Sequence, residues 1–105
     1  MSNRILVKRA LQRRVVFSRL REYLEIIKRV VHRLDPNAEV YLFGSVAEGR
    51  SNLSSDIDIL IVTELNPAAI HSELWKAGVK EPFEVHVHTR EEAAFYDGRA
   101  KLLKI

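Results

Sequence analysis

Hydrophobic side chains recur in the first third of the chain at three- and four-residue steps: Val16, Leu20, Tyr23, Leu24, Ile27, Val30, Val31 and Leu34. On a helix these positions form one apolar stripe, with Arg13, Arg14, Arg19, Arg21, Lys28, Arg29 and Arg33 mostly around the rest. The spacing predicts one long helix from about Asn3 to Leu34, its stripe laid on a sheet. Asp35-Pro36-Asn37 stops it, because proline disfavours helical backbone in the residue before it.

The pattern then changes period. Glu39 to Phe43 reads as a first strand, Val46 to Gly49 as a short helical turn, and Arg50 to Ser54 as a polar loop. From about Asp56 to Thr63 runs a second strand whose near-continuous Ile, Leu and Val after the acids predicts burial on both faces, as in the centre of a sheet. Asn66 is an N-cap with Pro67 behind it, opening a helix through Ile70, Leu74 and Trp75 that Gly78 ends; Trp75 is expected to anchor the core. In Phe83-Glu84-Val85-His86-Val87-His88 apolar and polar residues alternate strictly, which predicts a third strand with one polar face. Thr89 and Glu92 have capping-box spacing for a short helix that Gly98 closes. The tail, Arg99 to Ile105, reads as a last helical turn or a loose end. The expected fold is α/β (α+β): a mixed sheet of three to four strands with helices packed on it, in a single domain over residues 1–105.

Composition narrows the class. The 105 residues are 47% hydrophobic and 30% charged, enough for one small core and too few for two. No apolar run is long enough to span a bilayer, and charges interrupt the basic start too early for a secretory signal. With no cysteine there is neither a disulfide framework nor a thiolate metal site, and a cytoplasmic location is expected. The net charge of +3 is unevenly spread: residues 1–34 hold ten Lys/Arg and two acids, whereas the remainder is net acidic. A solvated helix face explains this, and so does attraction to nucleic acid or an acidic partner.

The chemistry concentrates between the first two strands, from Gly44 to Asp58. Strand side chains alternate, so Asp56 and Asp58 share a face with roughly 7 Å between their Cα atoms. Two carboxylates so close repel each other unless a cation lies between them, and hard ions such as Mg²⁺ prefer oxygen ligands. Gly44 permits a tight turn, and Ser45 stands where a helix would begin, offering free N–H groups to phosphate oxygens. An anion cradle facing paired acids implies a nucleoside triphosphate bound through Mg²⁺ or Mn²⁺.

These residues resemble a known signature. Gly44-Ser45, Ala47, Gly49, Ser55, Asp56 and Asp58 are similar to the Gly-Ser-x-Ala-x-Gly … Ser-Asp-x-Asp pattern of the minimal nucleotidyltransferases in the DNA polymerase β superfamily. The resemblance covers roughly residues 38–97 as a catalytic core, behind a basic helical segment at 1–35 that carries no motif. It implies transfer of a nucleoside monophosphate, AMP from ATP, to a hydroxyl acceptor. Asp56 and Asp58 would hold metal; Gly44, Ser45, Gly49, Arg50 and Ser55 would line the nucleotide. It further implies a partner protein of the HEPN type, a toxin that the chain neutralises as antitoxin by adding AMP to it, with the acceptor small or presented by another subunit, which includes a homo-oligomer.

Families of this kind place a third acid on the neighbouring strand, often in an apolar-Asp-apolar-apolar-Thr run. Counting back from Thr89 puts His86 in that place, and Glu84 is the nearest acid on the same face. Glu84 is therefore the candidate third catalytic and metal-binding residue, with His86 as neighbour, base or further metal ligand. Glu84, His86 and His88 also suggest a zinc or transition-metal site, for which no fourth ligand is recognisable. His32 and His71 fall on helices as surface or partly packed residues. Two alternatives stay open: a catalytically weak nucleotide-binding module that neutralises its partner by contact, and RNA or DNA binding through the basic helix.

Overall fold

The computed structural model, which describes residues 3–105, puts the doubly buried strand at the centre. The elements run α1 (Asn3–Ser18), α2 (Leu20–Leu34), β1 (Glu39–Phe43), α3 (Gly44–Ala47), β2 (Ile57–Val62), α4 (Pro67–Lys76), β3 (Phe83–His88), α5 (Arg90–Ala93), a 3₁₀ turn at Ala94–Tyr96, and β4 (Leu103–Lys104). One sheet has the order β3-β2-β1-β4. β1 runs antiparallel to β2 and β4, and β3 runs parallel to β2. This is the mixed α/β architecture expected of a nucleotidyltransferase-like chain.

The sheet buries one face under helices. Ile57, Ile59 and Ile61 of β2 and Val40 and Leu42 of β1 pack with Ile27, Val30 and Val31 of α2 and with Ile70 and Leu74 of α4. Enclosing each such side chain contributes about 1.5–3 kcal/mol, so this layer supplies most of what fixes the register. The opposite face carries Phe43, Asp58 and Glu84 in one cross-strand row and Tyr41, Leu60 and His86 in the next. α5 and the 3₁₀ turn cover part of it, with Tyr96 edge-on to Phe43 at 5.4 Å.

Caps appear where the sequence places them. Asn66 accepts a hydrogen bond from the Ala68 N–H at 2.8 Å, and Thr89 and Glu92 form the reciprocal capping box. Asp35 closes α2 and ties it to the sheet: its carboxylate accepts from the Thr63 hydroxyl at 2.6 Å and from the Asn37 N–H at 3.0 Å.

Three expectations are corrected. The long helix is broken at Arg19, whose N–H is shared between the Val15 and Val16 carbonyls at 3.1 Å each. Ser18 donates its hydroxyl back to the Val15 carbonyl at 2.8 Å, a competing bond of the kind that bends helices. Trp75 is 61% exposed rather than a core anchor, because α4 buries Ile70 and Leu74 and the next position turns off that stripe. Its ring carries the Lys80 ammonium at 4.4 Å. The tail is a short strand: β4 pairs with β1, and the Ile105 N–H donates to the Val40 carbonyl at 2.9 Å.

Candidate active site

Gly44 makes the turn from β1 into α3 at φ +76°, a conformation that L side chains rarely adopt. It also faces the first residue pair of β2: a Cβ on Gly44 would collide with Asp58 Oδ2. The motif glycine and the second aspartate are therefore in direct apposition. The register then carries the site across the sheet, since Asp58 pairs with Phe43 on one side and Glu84 on the other.

Asp58, Glu84 and His86 each offer one ligand atom within 4.8 Å of the others. His86 Nε2 is 3.5 Å from Asp58 Oδ1 and 3.7 Å from Glu84 Oε1. The His86 ring lies edge-on to Phe43 at 5.3 Å. Tyr96 closes the side of this group, and burial, with the Asp58 charge adding to it, pushes its hydroxyl pKa up.

Asp56 does not belong to the three-residue group. It precedes β2, its side chain is 57% exposed, and Arg13 Nη2 approaches its Oδ1 at 3.9 Å. The two signature aspartates thus differ in company: Asp58 faces the glycine turn, Glu84 and His86, while Asp56 faces α1. His88 also stands apart from the zinc grouping considered above, lying 3.3 Å from the Tyr96 hydroxyl and 3.6 Å from Glu92.

The loop between α3 and β2 is shaped by its own polar residues. Ser55 Oγ accepts from the Asn52 N–H at 3.0 Å, and Asn52 Oδ1 accepts from the Ser54 N–H at 2.8 Å. Gly49 turns at φ +72°, and Arg50 donates to Glu48 at 3.1 Å on the surface. Ser45 is half-buried at the start of α3.

Arg13 was not singled out for this site by its sequence position. From α1 it donates Nε to the Leu53 carbonyl at 2.8 Å, Nη2 to the Ser55 carbonyl at 2.5 Å, and Nη1 to Glu81 at 3.0 Å. Its side chain is only 15% exposed. One planar guanidinium therefore fastens the loop that delivers Asp56, a geometry suited to arginine's fixed fork of donors. A recess of about 450 Å³ lies beside this clasp among Leu6, Ala10, Leu11 and Leu53, away from Asp58 and Glu84.

A divalent ion fits the group on chemical grounds. Two carboxylates and an imidazole are ordinary metal donors, and His86 Nε2 is buried with no hydrogen-bond partner, as a nitrogen held for a ligand would be.

Comparison with known proteins agrees with this fold. Residues 24–104 match the nucleotidyltransferase domain family. The fold is similar to a crystal structure of a provisionally assigned nucleotidyltransferase, with a TM-score of 0.59 and 29% identity over 78% of this chain and 96% of that one. It is also similar to a provisionally assigned nucleotidyltransferase from Sulfolobus solfataricus, with a TM-score of 0.56 and 25% identity over 90% of this chain and 85% of that one. No curated protein sequence matches the chain.

Proposed function

The chain belongs to the nucleotidyltransferase domain family, and from that premise we propose that it transfers AMP from ATP to a hydroxyl on a partner protein. The observation that carries this reading is the apposition of Gly44 to Asp58, with Glu84 beside Asp58 on the next strand. The glycine turn and the two carboxylates thus lie together, which supports reading the turn as the holder of the phosphates. Asp58 and Glu84, with Asp56 at the loop end, would hold Mg²⁺ or Mn²⁺. The ion would offset charge on the triphosphate and on the leaving pyrophosphate.

In the proposed reaction the acceptor oxygen forms a bond to the α-phosphorus as the bond from that phosphorus to the bridging oxygen breaks. Pyrophosphate leaves with the electron pair, and the hydroxyl proton passes to a base, for which His86 and Glu84 are the candidates. Gly44 and Ser45 would grip the β- and γ-phosphates with backbone N–H groups; Gly49, Arg50 and Ser55 would border the nucleotide.

A HEPN-type partner, with this chain as its antitoxin, follows from the resemblance, and α1 supports it. Ile5, Leu6, Val7, Leu11 and Val15 are all 46–57% exposed, although helices of single-chain domains normally bury such residues. Among the described residues no helix is long and apolar enough to cross a membrane. ATP labelled in the α-phosphate should mark the acceptor, and Asp58→Ala should abolish the labelling.

A second reading has its own support. Asp56 keeps company with Arg13 rather than with Glu84, an arrangement suited to weak catalysis and neutralisation by contact. Under that reading Asp58→Ala still neutralises the partner and no covalent label forms.

A further inference from the structure

The group on the open face of the sheet is not all oxygen. Asp58 and Glu84 supply carboxylates, whereas the third member, His86, supplies an imidazole nitrogen. That nitrogen is enclosed and lacks a hydrogen-bond partner, and its distances of 3.5 and 3.7 Å to the two carboxylates are too long for hydrogen bonds. Phe43 fixes the ring edge-on, so Nε2 is held towards both carboxylates at once. The two oxygens of Asp58 are divided in use: Oδ1 faces His86 and Oδ2 faces Gly44.

We propose that Asp58, Glu84 and His86 form a mixed oxygen–nitrogen metal site that selects a first-row transition ion over Mg²⁺. The inference rests on the reading of this group as the metal site of a nucleotidyltransferase, and it deepens that reading by naming the class of ion. Mg²⁺ seeks oxygen ligands and gains little from imidazole, whereas affinity for nitrogen donors rises from Mn²⁺ through Co²⁺. Zn²⁺ likewise takes His together with Asp or Glu. His86 Nε2 is the atom that decides the preference. Asp56 lies outside this trio, with its carboxylate 3.9 Å from Arg13.

The test is metal binding by the untagged, chelator-treated full chain without nucleotide, followed by calorimetry and by pulsed EPR of bound Mn²⁺. The expected result is one site per chain that binds Co²⁺ and Zn²⁺ at least tenfold more tightly than Mg²⁺, with nitrogen coupling in the Mn²⁺ spectrum. His86→Gln should lose the coupling and most of the preference while Mg²⁺ affinity stays within about twofold; His86→Asp should move the preference towards Mg²⁺. Equal affinities for Mg²⁺ and Co²⁺ in the wild type, or a spectrum without nitrogen coupling, overturn the proposal even if a variant fails to fold. Unchanged Co²⁺ and Zn²⁺ binding in a folded His86→Gln overturns it too. The two readings fail separately. Mg²⁺-supported AMP transfer without ion preference removes this inference alone, and selective Co²⁺ binding without transfer removes the reaction alone.

Discussion

The Asp58 carboxylate fills the space that a side chain on Gly44 would need. This contact couples the turn after β1 to the strand that carries the acid, and it makes the glycine a packing requirement as well as a conformational one.

Gly44→Ala should therefore destabilise the protein twice over. Alanine at φ +76° costs roughly 1–2 kcal/mol, and the displaced Asp58 carboxylate adds to that. A fall in Tm of about 4 °C or more is expected. In an Asp58→Ala background the same substitution should cost less, since only the backbone strain remains. A double-mutant cycle with additive effects would show that the close approach is energetically silent.

The Arg13 clasp predicts a loop-specific effect. Arg13→Ala leaves the Leu53 and Ser55 carbonyls without their donor, for about 1–3 kcal/mol of stability. Hydrogen exchange should speed up in residues 51–56 and not in β2. Arg13→Lys should restore little, because a single ammonium cannot address both carbonyls and Glu81 together. Full protection of the loop in Arg13→Ala would remove the clasp from the account.

Acid sensitivity should trace in part to Asp35. The Thr63 hydroxyl, followed by the Asn37 N–H, holds its carboxyl below the usual range. A carboxyl whose folded pKa is depressed contributes stability that is present above its ordinary value of about 3.9 and is lost as pH falls through the folded value. Wild-type protein should lose more stability between about pH 5 and pH 2 than Asp35→Asn does, as read from denaturant midpoints. Identical acid limbs would show that the Thr63 contact does not favour the folded state.

Most of the architecture was legible because local rules and tertiary packing agree. The continuous Ile57–Val62 run is the central strand, the alternation at Phe83–His88 does give a half-polar strand, and both side-chain caps form. Two of the misses share one cause, long-range contact. The tail near Ile105 reads as a last helical turn or a loose end until the edge of β1 offers hydrogen bonds, and Arg13 looks like any solvated helix residue until the loop forty positions later folds onto it. The helix breaks at Arg19, next to the Ser18 hydroxyl that bonds back to the Val15 carbonyl, although helical periodicity continues across it. Within the site, the strand alternation places Glu84 and His86 on the same face as Asp58. It did not reveal that Asp56 would be drawn towards α1 and leave His86 as the third member.

In the proposed transfer, Gly44, Asp58 and Glu84 position a triphosphate for attack at its α-phosphorus. The most direct measurement presents the partner protein with ATP labelled at either the α- or the γ-phosphate, with a divalent ion and wild-type or Asp58→Asn protein. Only the α-label should become covalently attached, with release of pyrophosphate, and Asp58→Asn should lose both. Attachment of the γ-label, or α-labelling that persists undiminished in Asp58→Asn, would contradict it.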